Sequence, residues 1–301
     1  MNSDKNKTVT ILGGSGLIGS AISQFLTSQG FEIFILSRRP KNSHTIVYQN
    51  LEDQNVLDLL QKTDVIINLA GETIAQRWTK SAKEKIFNSR VKVTEQLIQA
   101  LQKIKKRPAL LINTSATGFY GDQGNRLIDE SVEAGDDFLS QTAKQWELTA
   151  MQGFDLGMRV VTPRFGVVLA SNGGFLSKLL LPFKLFVGAI LGSGQNYLPW
   201  IHIEDLTRII LFLIENRDIE GAVNVVSPQA VTVTEFSHTL AKGLHRPCLF
   251  KVPSLLLKIF LGEMSVLMLA SCKVFPEKLM TAGFQFEYSD LDKALKALLQ
   301  K

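Results

Sequence analysis

The feature that most restricts how this chain can fold is the run Gly13-Gly14-Ser15-Gly16-Leu17-Ile18-Gly19. The apolar Thr8-Val9-Thr10-Ile11-Leu12 precedes it, and the amphipathic Ala21-Ile22-Ser23-Gln24-Phe25-Leu26 follows. That order reads as strand, glycine turn, helix. Glycines at such a turn let the backbone approach a pyrophosphate closely, and the helix N-terminus then offers N–H groups and the positive end of its dipole. The context predicts a dinucleotide held by Gly13, Ser15, Gly16, Leu17, Ile18 and Gly19.

The next apolar run, Phe31-Glu32-Ile33-Phe34-Ile35-Leu36, ends in Ser37-Arg38-Arg39-Pro40. An NAD-selective site would place Asp or Glu about 20 residues past the glycines to hold the ribose 2′-hydroxyl. Ser37 and the guanidinium groups of Arg38 and Arg39 suit a 2′-phosphate instead, through charge-assisted bidentate bonds. NADP(H) is the expected cofactor.

Strands then alternate with helical segments. Thr45-Ile46-Val47-Tyr48 is followed by a helical stretch around Asn55-Val56-Leu57-Asp58-Leu59-Leu60, and a fourth strand by Asp64 to Ala70. One long helix is expected from about Lys83 to Lys105, a fifth strand over Ala109 to Ser115, a helix from Phe138 to Met151 and a sixth strand over Arg159 to Arg164. The fold class is α/β, a doubly wound parallel sheet whose strand C-terminal ends form the site. Residues 1–168 read as the nucleotide-binding domain, with strands returning from 195–240, residues 169–245 as substrate-region segments and 246–301 as a short helical C-terminal domain.

Composition bounds the rest. With 301 residues, 45% of them hydrophobic, there is ample core. The formal charge of +5 is scattered, with no basic stripe interleaved with aromatics, which argues against nucleic acid. Two cysteines, Cys248 and Cys272, make no disulfide framework, and the four histidines show no metal-ligand spacing. The polar start, Met1 to Lys7, lacks a signal-peptide core, so a cytoplasmic location is expected. The apolar stretches Leu179 to Leu191 and Val252 to Ala270 are too short or too charged to span a bilayer and read as buried helices or a substrate-covering lid.

The chain resembles the extended short-chain dehydrogenase/reductases of the epimerase/dehydratase type. The resemblance rests on the glycine turn, Asn68-Leu69-Ala70-Gly71, Asn113-Thr114-Ser115-Ala116-Thr117-Gly118-Phe119-Tyr120-Gly121, Trp200-Ile201-His202-Ile203-Glu204-Asp205-Leu206 and Asn224-Val225-Val226. Glu72, Arg77-Trp78, Arg90, Trp146-Glu147 and Leu261-Gly262-Glu263-Met264 narrow it to an atypical group labelled "epimerase family protein", with its own short C-terminal domain. The resemblance implies cofactor contacts at Asn50, Leu51, Leu69, Ala70, Gly71 and Thr114, and a homodimer is common among such proteins. It also exposes a departure. The family's Tyr-x-x-x-Lys falls on Leu139 and Ala143 when aligned on Glu147, or on Ser140 and Lys144 one residue later. Neither register supplies a phenol.

Ser115 is the best-placed remaining polar group for orienting a carbonyl or hydroxyl oxygen, with Tyr120 or Glu72 handling the proton. Arg90, where the family has asparagine, and Arg164, at a strand end, could hold a cofactor phosphate or an anionic substrate. His202 lies between apolar neighbours and reads as structural. These residues suggest an oxidoreductase or epimerase acting on an unidentified small molecule, or a protein that reads NADP(H) without turnover.

Overall fold

The computed structural model describes residues 7–38 and 45–300. The chain starts with β1 (Thr8–Leu12), α1 (Leu17–Ser28), β2 (Glu32–Ser37), β3 (Thr45–Val47), α2 (Gln54–Lys62) and β4 (Val65–Asn68). Next come α3 (Lys80–Asn88), α4 (Val91–Lys103), β5 (Leu110–Asn113), β6 (Ser115–Ala116), β7 (Leu127–Ile128) and α5 (Phe138–Met151). Then follow β8 (Arg159–Phe165), β9 (Val167–Ala170), α6 (Gly174–Lys184), β10 (Ala189–Leu191), β11 (Tyr197–Leu198), β12 (Trp200–His202) and α7 (Ile203–Glu215). The remainder is β13 (Gly221–Val225), β14 (Val231–Thr232), α8 (Val233–Gly243), β15 (Phe250–Val252), α9 (Ser254–Leu261), α10 (Val266–Leu269), β16 (Lys273–Val274), α11 (Glu277–Thr281) and α12 (Leu291–Leu299).

The central sheet is parallel throughout, in the order β13-β8-β5-β4-β1-β2-β3, with β6 on β8. Every residue of β1, β4 and β5 is buried, as expected of strands covered on both faces. Alternate side chains feed two cores. Val9 and Ile11 join Ile22, Leu26, Ile209 and Leu213 on one face, and Leu12 joins Leu60, Leu97 and Leu101 on the other. The strand order reverses between β1 and β4, where Leu12 pairs with Asn68. Ligand crevices in open α/β sheets form at such a switch point.

Three expectations need correction. The single helix expected from about Lys83 to Lys105 is two, interrupted at Ser89–Arg90. The Ile86 carbonyl is taken by the Ser89 hydroxyl (3.0 Å) and the Arg90 guanidinium (3.1 Å), so side chains replace the helical backbone bond and the chain turns. The fifth strand stops at Asn113: Thr114 still donates its N–H to the Asn68 carbonyl, but Ser115 pairs with β8 instead. The two apolar stretches are not simply buried. Leu181, Leu185, Leu255, Ile259 and Phe260 are exposed, while Val266, Leu267 and Met268 wall a cavity.

Residues 246–301 share the cores of the rest of the chain. Leu279 and Phe284 pack in the β1 core, and Leu291, Leu295 and Leu298 pack with Leu169, Trp200 and Phe236. Among the described residues, no helix is long and apolar enough to cross a membrane.

Candidate active site

The glycine turn is built to bring the backbone in close. Gly13 has φ +75°, and a Cβ there would lie 2.9 Å from the Leu69 carbonyl carbon. The β1 turn and the Leu69-Ala70-Gly71 segment after β4 therefore touch at the switch point, as the motifs suggested separately. A Cβ on Gly19 would sit 2.6 Å from Gly14 Cα, so only glycine lets α1 start against its own turn. Gly16 is the α1 N-cap and closes the turn by donating to the Gly13 carbonyl (3.2 Å). The first turn of α1 carries no acidic residue, which keeps this helix end favourable to an anion. A cavity of about 540 Å³ opens beside Ser15, Gly16 and Leu17 against Ala170, Ser171 and Asn172.

Ser37 ends β2 beside this turn, and Gly13 donates to the Leu36 carbonyl (3.4 Å). Arg38 is exposed, and Arg39 lies outside the described residues. Asn50 is exposed, and its side-chain oxygen accepts from the Glu52 N–H (3.1 Å). Leu51 is fully buried and packs in the second core. Thr114 donates its hydroxyl to the Asn68 carbonyl (2.9 Å), which makes it a tie between strands.

The second site lies past the ends of β5 and β8. A cavity of about 280 Å³ is walled mainly by apolar groups, among them Leu139, Trp146, Phe165, Leu198, Leu267 and Met268. Ser115 pairs with Arg164 across β6 and β8, and its hydroxyl is buried with no hydrogen-bond partner among the described residues. A buried hydroxyl of that kind is costly unless something else, such as a ligand, satisfies it.

The structure decides the α5 register. Leu139 and Ala143 both line the cavity, whereas Ser140 is buried with its hydroxyl on the Gly118 carbonyl (2.9 Å) and Lys144 is exposed. In the register aligned on Glu147, the residues facing the cavity are Leu139 at the tyrosine's place and Ala143 at the lysine's. Asp137 caps this helix, accepting from the Leu139 N–H (2.8 Å) and the Ser140 N–H (3.0 Å).

Arg90 is the cation of the cavity wall. Its Nη1 donates to the Glu72 carbonyl (3.0 Å) and the Ile86 carbonyl, and its guanidinium lies 5.4 Å from the Trp146 ring. No bond to Nε or Nη2 is made among the described residues, so a forked pair of donors stays available. Burial pulls the Arg90 pKa down to about 10, with Glu72 opposing, so it is charged at neutral pH. The Trp146 indole is fixed from behind by Thr94 (2.9 Å), which also receives Asn68 (3.0 Å). Trp146 was legible as a family marker, but its place on the wall was not. The wall contributed by Val266–Met268 carried no sequence signal beyond hydrophobicity.

Two candidates turn out to serve the frame. Arg164 is 4% exposed, bidentate to Glu147 (2.9 and 2.8 Å) and 3.5 Å from the Phe119 ring centroid. Its Nη1 donates to the Tyr120 hydroxyl (2.8 Å), which donates to Asn224 Oδ1 (2.7 Å). Burial resists the Arg164 charge, but Glu147 outweighs it and raises the pKa. Burial also pushes Tyr120 up to about 12. Ligand contact by Arg164 and proton transfer by Tyr120 are therefore replaced by a buried network that ties β8 to α5 and β13. His202 is likewise fully buried, accepting from the Glu204 N–H and stacked on Tyr288 at 3.7 Å. Glu72 is half-buried on the loop after β4. Among the described residues, no group of His, Cys, Asp or Glu could hold a metal ion.

Comparison with known proteins matches this architecture. The model of the NAD dependent epimerase/dehydratase family covers residues 9–226, and a domain of unknown function (DUF1731) covers 252–298. The chain is 38% identical to epimerase family protein YfhF of Bacillus subtilis over 296 residues, 97% of each chain. The crystal structure of human epimerase family protein SDR39U1 with NADPH is similar at TM-score 0.91 and 32% identity, covering 98% of this chain and 99% of that one. A nucleoside-diphosphate sugar epimerase structure from Corynebacterium glutamicum is similar at TM-score 0.80 and 32% identity, covering 98% of this chain and 58% of that one. The chain belongs to the NAD dependent epimerase/dehydratase family.

Proposed function

We propose that this protein is an NADP(H)-dependent oxidoreductase or redox-assisted epimerase acting on a largely apolar carbonyl or hydroxyl compound. The observation that carries the reading is the unpartnered Ser115 hydroxyl, buried at the strand end next to Ala116, which lines a cavity with apolar walls. The glycine cradle fits a dinucleotide pyrophosphate, since Gly13 and Gly19 let the turn pack against Leu69 and against the start of α1 with no side chain between. Ser37 and Arg38 at the end of β2 suit a 2′-phosphate, and the SDR39U1 structure contains NADPH. When bound, the nicotinamide supplies or accepts the hydride.

The chain's own groups do the remaining work. Ser115 donates to the reacting oxygen and orients it. The free edge of Arg90 holds an acidic group or developing negative charge. Glu72, bonded through its backbone to Ser89 and Arg90, carries the proton in place of the absent phenol. Of the polar groups on the cavity wall, Thr142 is already bonded to the Phe138 carbonyl and Asn196 to the Met268 carbonyl, while the Arg90 edge and the Tyr197 hydroxyl make no such bond among the described residues. That leaves little to pair the hydroxyls of a free sugar, hence the apolar substrate class.

Incubation with a metabolite extract and NADPH deuterated at C4 tests the reading. A deuterated product that falls about a hundredfold with Ser115→Ala is expected. Absence of label, with NADPH binding shown in the same sample, rules out net reduction and leaves an epimerase that recycles its own hydride or the sensor. Arg38→Ala should lower the preference for NADPH over NADH, and an unchanged preference removes the cofactor assignment.

The second reading is a non-catalytic NADP(H) sensor, favoured by the Leu139 and Ala143 substitutions at the cavity. It requires different affinities for NADP⁺ and NADPH and indifference to Ser115→Ala.

A further inference from the structure

Helix α9 has the wrong face outward for a protein that meets only water. Of its eight residues only Leu257 is buried. Leu255, Leu256, Ile259 and Phe260 form one continuous outward face at spacings of one and four, and Phe260 is 79% exposed. The apolar surface extends beyond the helix. β15 leads into α9 with Leu249 (79% exposed) and Phe250 exposed, and it pairs with β10, whose lead-in carries exposed Leu185, Phe186 and Val187. Phe186 has φ +64°, a left-handed conformation that a bulky residue rarely adopts, and it is held there exposed under the Arg246 guanidinium at 4.6 Å. Monomeric proteins seldom leave so many large apolar groups together without a partner.

Charge identifies the partner. Residues 174–191 and 242–262 contain Lys178, Lys184, Lys242, Arg246, Lys251 and Lys258 and no aspartate or glutamate. Of these, Lys178, Lys184, Lys251 and Lys258 are exposed, while Lys242 is within 3.4 Å of Asp292. A second copy docked through the same face would bring lysines against lysines, because a two-fold contact matches a patch with itself. Apolar side chains flanked mainly by cations, with the Glu263 carboxylate just past α9 paired to Lys83, fit an anionic lipid surface, with acyl chains for the leucines and phenylalanines and headgroups for the lysines. At eight residues α9 reaches only about 12 Å and cannot span.

We propose that this face docks on anionic lipid bilayers, with α9 lying in the interface, Leu255, Leu256, Ile259 and Phe260 inserted, and Lys178, Lys184, Lys251 and Lys258 at headgroup level. Beyond α9 the chain turns back so that Val266–Met268 wall the cavity, and one short segment separates the docked face from the site. The docking does not depend on turnover or on the identity of the cofactor.

Co-sedimentation of the full-length protein with phosphatidylcholine vesicles, with and without phosphatidylglycerol, tests it. Binding is expected to the phosphatidylglycerol vesicles and to weaken as salt rises. Both Ile259→Glu/Phe260→Glu and Lys251→Glu/Lys258→Glu should lower it by about tenfold or more. All four side chains are exposed, so thermal melts of both variants should match the parent. Equal binding to phosphatidylcholine alone, or none to either vesicle, overturns the proposal. So does a dimer in gel filtration that Ile259→Glu/Phe260→Glu dissociates, since the face would then belong to a second copy.

Discussion

Tyr120, Arg164 and Glu147 form a chain of buried bonds in which each group depends on the next. Removing one partner leaves the others desolvated and unpaired, so Arg164→Met should cost about 3–5 kcal/mol, read as a lower denaturant midpoint. Tyr120 also sets a pH dependence. Its native pKa of about 12 exceeds the ordinary 10, so native and unfolded chains both hold the proton at neutral pH. Between those values the unfolded chain ionises and the native one resists. Stability therefore falls as pH rises through that window, by up to about 3 kcal/mol for the two-unit shift. Tyr120→Phe should flatten this alkaline limb while losing about 1–3 kcal/mol at neutral pH, since Arg164 and Asn224 lose a partner. Denaturant titrations at both pH values check the pair. Cys272 follows the same logic, its thiol pushed to about 12 by burial and then by Asp122. Iodoacetamide at mildly alkaline pH should alkylate it only as fast as the native protein opens.

The elements around the switch point depend on contacts too close for any side chain. Gly19→Ala puts a methyl 2.6 Å from Gly14 Cα, and Gly13→Ala adds a left-handed φ to a clash with Leu69. Each should abolish measurable NADPH binding by fluorescence titration, with a lower melting temperature. The α5 helix illustrates a different limit. Its extent, Phe138–Met151, was legible from the sequence, yet two registers one residue apart were equally compatible with the letters. Which face meets the cavity is set by Ser140 and Asp137 binding the neighbouring loop and the helix start. The break at Ser89–Arg90 was hidden because helical periodicity continues through it. Only the approach of the β4 loop gives Arg90 a reason to leave the helix.

On the scale of the molecule, the last third of the chain completes cores begun by the first. Leu279 and Phe284 seal the β1 core, and Leu291, Leu295 and Leu298 close a second. A truncation after Arg246 should therefore lose the cooperative melt and expose apolar surface, seen as dye binding and aggregation. A sharp transition in the truncated protein would show instead that residues 246–301 fold as a separate unit.

The nucleotide-binding half was readable because its determinants are local: a glycine turn, its flanking strand and helix, and buried strands all leave short-range patterns. The sequence alone determined the parallel α/β sheet and the position of the glycine cradle. It also determined the absence of a phenol and lysine at the usual spacing. Tertiary structure decided which polar groups remain free. Ser115 was the best-placed candidate, with Tyr120, Arg90 and Arg164 beside it and Thr114 as a cofactor contact implied by the resemblance; only the fold pairs Arg164, Tyr120 and Thr114 and leaves Ser115 Oγ and two Arg90 nitrogens open. It likewise turned hydrophobic stretches that read as interior into an outward face, because hydrophobicity records a preference for leaving water but not the surface that will receive it.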